Sequence, residues 1–148
     1  MAEIGSYLYI AQRDLANAKD IQRENLATLC GRTAEQAVEK ALKAFLASEG
    51  DETDYKLLNT HKPFRVYSRC VKYGFALELS NEELHLLKNL DSYYYDTNYP
   101  GNDFFEISLN EAVQSVQLAE KIVRYVTDFF MQELGDEESK DFPVSENF

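Results

Sequence analysis

CGRTAEQAVEKALKAFLASEG, residues 30–50, carries the periodicity of one long, closely packed helix. Cys30, Ala34, Ala37, Ala41 and Ala44 recur at steps of three and four, so they fall along one side of a helix, flanked by Val38, Leu42 and Phe45. Small side chains at that spacing let a neighbouring helix axis approach closely. Strong helix formers fill the other positions, and Glu39 and Lys43 stand one turn apart as an i,i+4 pair. The helix is expected to follow a turn around Glu24 and Asn25 and to stop near Glu49, with Gly50 as a C-cap in the left-handed region.

The segments on either side repeat the pattern. Before it, Ile4, Leu8, Ala11, Leu15 and Ala18 form the stripe of a first helix ending near Arg23. After it, residues 51–59 are polar and acidic and read as a loop. Thr60 is then placed to cap a third helix, with Pro63 in its first turn, where the backbone has no N–H acceptor to lose. That helix is expected to run to about Tyr73 with Phe64, Tyr67, Val71 and Phe75 as its apolar face. Ser80 with Glu83 and Ser108 with Glu111 are capping boxes opening a fourth and a fifth helix. Their stripes are Leu84, Leu87, Leu90 and Tyr94, then Ala112, Val116, Ala119, Val123, Val126 and Phe130. No segment alternates with period two between turn signals, so the fold class is all-α, an up-and-down bundle of about five helices over residues 1–134. Residues 135–148 hold five acids and one Lys and are expected to form an acidic, disordered tail.

At 148 residues the chain has the length of one domain. Its net charge of −11 disfavours an extended nucleic-acid surface, which needs many Lys and Arg to neutralise phosphates. Cys30 and Cys70 stand alone, without C-x-x-C spacing, and fit a reduced compartment. Neither a signal-like segment nor a long apolar run is present, so a cytoplasmic protein is expected. Nothing in the sequence calls for a metal or a cofactor, and Gly31-Arg32-Thr33 is no phosphate loop.

Residues 30–50 closely resemble the signature second helix of the HEPN domain family, in which a Cys precedes Ala-Glu/Gln-Gln-Ala and then Glu-Lys-Ala-Leu-Lys-Ala. YLYIAQRDLANAK is similar to that family's opening helix, Thr60-His61 to the start of its third, and YYYDTNYPG to its Tyr-x-x-x-Arg-Tyr-Pro loop. The likeness covers about residues 5–130. It implies that Tyr95, Tyr99 and Pro100 lie in the turn leaving helix four, where tyrosines either cover the end of the core or offer ring faces to a base.

HEPN ribonucleases use an Arg, then four to six intervening residues, then a His, and a dimer brings two such pairs to one cleft. That spacing is absent here: the histidines are His61 and His85, with no Arg five to seven positions before either. Where relatives have Arg-Tyr-Pro, this chain has Asn98-Tyr99-Pro100. The resemblance therefore implies a noncatalytic, homodimeric binding module for a nucleotide-like or RNA ligand. It also implies a partner such as the minimal nucleotidyltransferase often encoded beside prokaryotic relatives as a toxin and antitoxin pair. The alternative is a metal-independent ribonuclease with a displaced pair, His61 and Arg65, one helical step of four apart. His61 otherwise reads as a locally bonded helix-start residue, and His85 as a boundary residue. On helix three Arg65, Arg69 and Lys72 form a basic strip with Lys62 near its start. It either pairs with nearby acids or contacts a phosphate, and with Tyr95, Asn98 and Tyr99 it completes the ligand-binding candidates.

Overall fold

The computed structural model describes residues 2–23, 26–98 and 106–138. Its elements are α1 (Ala2–Arg23), α2 (Ala27–Glu49), a 3-10 helix (Glu52–Asn59), α3 (Pro63–Lys72), α4 (Asn81–Asn98) and α5 (Leu109–Glu138), with no strand among the described residues. α2 is the axis of the bundle, and every other element packs on it. Its alanine stripe lies against α1 and α5, and Ala34, Ala37, Ala41 and Ala44 are fully buried.

Side-chain contacts fix the direction of each helix. Cys30 Sγ donates to the Ala18 carbonyl across the α1–α2 hairpin at 3.3 Å, so those two run antiparallel. At one end of α5 the Ile107 N–H donates to Thr28 Oγ1 at 3.1 Å, and further along Phe129 stacks on Phe45, so α5 runs parallel to α2. Gln12 Nε2 donates to Thr127 Oγ1 at 3.3 Å and Lys19 pairs with Glu120, which sets α5 antiparallel to α1. α4 descends beside α5, with Tyr93 near Glu111 and Glu83 near Lys121. Gly31 is the notch into which Ile107 fits: a Cβ there would stand 2.7 Å from Ile107 Cδ1.

The expected stripes of α1, α2 and α5 are buried throughout, from Ile4 to Phe130. In α4, Leu87 and Leu90 are buried together with Tyr93, and the side chain of Tyr94 lies outside the described residues. Four local expectations are corrected. The acidic stretch after Gly50 is a 3-10 helix rather than a loop, because Asp51 accepts from the Thr53 N–H while Asp54 accepts from the Asp51 N–H. The Thr60 hydroxyl donates to the Leu57 carbonyl and closes that 3-10 helix, leaving α3 to start on Pro63 without a side-chain cap. The buried face of α3 is Pro63, Val66 and Cys70, while Val71 is exposed. Phe64 and Tyr67 instead join a chain of rings through Phe75 to Phe45, Tyr125 and Phe129, which covers one end of the core. Tyr95 and Asn98 belong to the last turns of α4 rather than to a turn after it.

Gly50 adds a fifth correction: its backbone is extended (φ −82°, ψ −178°), not left-handed. Space explains the glycine, since a Cβ would meet Leu46 O at 2.7 Å and Asp54 Oδ2 at 2.8 Å. Left-handed geometry occurs instead at Gly74, with φ 96° and open space around it. Gly50→Ala should therefore lower the unfolding free energy by about 1–3 kcal/mol through overpacking, measured by urea denaturation. Gly74→Ala should lower it by about 1–2 kcal/mol through left-handed strain alone.

Candidate functional site

Two charged assemblies stand out, one exposed and one buried. The exposed one is the α3 strip. Arg65, Ser68, Arg69 and Lys72 line an open groove of about 410 Å³ closed on one side by Leu57 of the 3-10 helix. The three cations share a lining because residues four and three apart lie on one helix face. Arg69 is anchored there: its guanidinium pairs with Asp54, whose other oxygen accepts from the Tyr73 hydroxyl at 2.5 Å. Burial works against the Asp54 charge, but Tyr73, the Asp51 N–H and Arg69 outweigh it and hold this carboxyl below the usual range. Arg65 and Lys72 are exposed and make no ion pair among the described residues. One cation of the strip is thus held by an acid, and two face solvent.

The buried assembly was not anticipated. Glu35, Glu39 and Lys43 stand at i, i+4 and i+8 on α2, each with about one per cent of its surface exposed. Glu39 Oε1 accepts from Lys43 Nζ at 2.6 Å, stands 3.2 Å from His61 Nδ1 and is 3.8 Å from Lys40 Nζ. Burial, together with the neighbouring Glu39 carboxyl, pushes Glu35 well above the usual carboxylate range. Glu39 is held below that range despite burial, by Glu35 and by Lys43. Burial draws Lys43 down from the usual lysine value against the pull of Glu39.

The sequence-based pair of His61 and Arg65 lies partly in this arrangement. α3 begins at Pro63, so His61 lies before the helix and the four-residue step does not align the two. His61 turns to Glu39, whereas Arg65 lines the α3 groove, and no shared lining brings them together. His85 is exposed on α4 beside α5. The side chains of Tyr95 and Asn98, and all of Tyr99, lie outside the described residues. Sequence reading missed the Glu39 to His61 contact because it spans 22 positions. Among the described residues no group of three His, Cys, Asp or Glu could hold a metal, and no helix is long and apolar enough to cross a membrane.

The HEPN domain family matches residues 4–129, and the chain belongs to it. Its fold is similar to a crystal structure from Thermus thermophilus, at 21% identity over 86% of this chain and 98% of that one, with a TM-score of 0.64. It is also similar to an archaeal HEPN homologue, at 18% identity over 85% and 96% of the two chains, with a TM-score of 0.56. No curated protein matches the chain.

The buried stripe makes two isosteric changes unequal. Glu35→Gln removes a carboxyl whose charged form burial disfavours and should cost under about 1 kcal/mol at neutral pH, whereas Glu39→Gln leaves the buried Lys43 ammonium unpaired and should cost about 3–5 kcal/mol. The raised Glu35 value also sets a sign. The folded state binds the extra proton, so the native protein loses stability as pH rises from about 4.3, the unfolded value, toward the folded one. Urea melts from pH 5 to 8 should show Glu35→Gln gaining on the native protein as pH rises.

Proposed function

We propose that this HEPN-domain chain is a noncatalytic, dimeric binding module whose α3 groove contacts the phosphate of a nucleotide-like ligand, or an acidic face of a partner such as a minimal nucleotidyltransferase. The observation that carries the reading is the groove itself. Arg65 and Lys72 project from one face of α3 with Arg69 held between them by Asp54 and Tyr73, in a chain whose net charge is −11. A local cationic patch on an acidic body attracts one anionic group and repels a long polyanion, which suits a single phosphate better than an RNA strand.

The dimer part of the reading rests on apolar exposure. Leu26 and Leu29 at the start of α2 and Leu109 at the start of α5 are 49%, 45% and 46% exposed. The hydrogen bond from Ile107 to Thr28 brings those starts to the same end of the bundle. Apolar side chains gathered at one end are what a second copy would cover. The ribonuclease alternative keeps one supporting feature, since a carboxylate on His61 Nδ1 is how a general base is oriented.

Thermal shift with AMP, ADP, ATP and inorganic phosphate checks the groove, because a ligand that binds only the native state adds about 2.7 kcal/mol at one hundred times its dissociation constant. A rise in Tm that is lost in Arg65→Ala and Lys72→Ala, and weakened by salt, is expected. Light scattering should give twice the chain mass. A monomer indifferent to all four anions would refute the module. Cleavage of labelled RNA in EDTA, abolished by His61→Ala, would establish the nuclease instead.

A further inference from the structure

A second groove, unlike the first in charge and in chemistry, lies between α4 and α5. These helices follow one another in the chain yet barely touch along their length. They are tied at two points: Lys121 Nζ donates to both oxygens of Glu83 at 2.9 and 3.2 Å, and the Tyr93 hydroxyl donates to Glu111 Oε2 at 3.0 Å. Between the ties the helices stand apart over an open trough of two adjoining lobes, which share Glu82, Leu86 and Gln114; the larger lobe has about 690 Å³.

The lining is specific. Its floor is apolar, made by Leu86 and Leu118. Its walls are carboxamides: Asn110, Gln114 and Gln117 from α5, all exposed, face Asn89 from α4. Asn81 and His85 of α4 complete the lining, whose carboxylates are Glu82, Glu83 and Glu111, with no Lys or Arg among the described lining residues. Glu83 is held by Lys121 and Glu111 by Tyr93, while Glu82 is exposed and makes no ion pair among the described residues.

A carboxamide carries a donor pair and an acceptor, so it can satisfy the N–H and C=O of one peptide unit, which an extended chain must otherwise leave unpaired when it loses water. Asn110, Gln114 and Gln117 follow the helix at steps of four and three, so they repeat roughly every 5–6 Å along one face. An extended peptide presents the same side every two residues, roughly 6.6 Å. Over two steps the repeats drift apart by roughly 3 Å, which flexible carboxamide side chains span, so three to five residues fit the trough between its two ties. Leu86 and Leu118 would take one apolar side chain, and Glu82 would take one cation.

We propose that the α4–α5 trough docks a short, extended, basic segment of a partner protein, read by the amide row for its backbone, by Glu82 for a Lys or Arg, and by the leucine floor for an apolar residue. The trough and the α3 groove are separate surfaces, so this inference stands whether or not the α3 groove binds anions.

The test selects displayed random heptapeptides on the full chain and then titrates fluorescein-labelled copies of the recovered peptides by anisotropy. Recovered peptides should be rich in Lys or Arg with one apolar residue. Glu82→Lys and Gln114→Arg, both surface changes whose fold is checked by Tm, should each weaken them at least tenfold, while Arg65→Ala should leave them unchanged. Three results would each overturn the proposal. One is a peptide set without basic enrichment, or one indifferent to Glu82→Lys and Gln114→Arg. Another is displacement of the peptides by low-micromolar spermidine, which would make the trough a small-cation site. The last is loss of dimer mass in the two variants, which would assign the trough to a second copy of the chain.

Discussion

Burying α2 on all its sides takes Glu39 and Lys43 out of water, and the bundle depends on their meeting. Each desolvated ion costs several kcal/mol, and only close, well-partnered geometry returns it. Glu39 has that geometry, with Lys43 at 2.6 Å, His61 at 3.2 Å and the Glu35 carboxyl beside it. The alanine stripe alone lets α1 and α5 come close but gives little resistance to rotation, because small side chains make shallow ridges. The charged stripe supplies what the alanines lack. Turning α2 about its axis would carry Glu39 away from His61 and drive two charges toward Ala-lined contacts, so the pair fixes which face meets which neighbour.

Amphipathic helices were legible wherever burial follows periodicity. The stripes of α1, α2 and α5 are read correctly to the last residue named, because a 3.6-residue repeat of apolar side chains has few other uses. The Ser80 box is legible for a similar reason: both of its hydrogen bonds are local, at 2.9 and 3.1 Å. Legibility fails where the determining partner is remote or where two physical causes leave one letter. Gly50 reads as a left-handed cap, yet it is a glycine because Leu46 and Asp54 leave no room. Ser108 caps the Glu111 N–H, but the Glu111 carboxylate has been drawn away to Tyr93, which no local pattern announces. The face of α3 was misjudged because its rings seal an end of the core, where aromatic side chains are half-buried and helical periodicity carries less weight.

The candidate sites divide the same way. Arg65, Arg69 and Lys72 can be read as a strip from spacing alone, whereas the role of Arg69 depends on Asp54, fifteen positions earlier, and on a capping box inside a segment that looked like loop. An i,i+4 Glu–Lys pair has one spelling on a solvated face and in a core, so Glu39 and Lys43 announced a pair without announcing its burial. The α4–α5 trough had no spelling at all. It is the space left when two helices are tied at Glu83–Lys121 and Tyr93–Glu111, and spaces between elements are properties of packing.

Charge on this molecule is partitioned rather than spread. The surplus of acids gives the whole body a negative field, within which α3 presents cations and the α4–α5 trough presents carboxylates and amides. α4 packs against α3 and also walls the trough, so a single helix separates the two surfaces. Asp91 of α4 accepts from the Phe64 N–H at 2.8 Å at the start of α3, which makes that separation rigid. Screening reaches about 8–10 Å at physiological ionic strength, comparable to the thickness of one helix with its side chains. An anion on α3 and a cation in the trough would therefore feel each other only weakly through the field. Any stronger coupling would have to pass through the Asp91 contact and the shared packing of α4 on α2. That packing rests on the buried Leu87 and Leu90 and resists displacement. Two surfaces of opposite charge thus sit on one body, divided by the packing of α4.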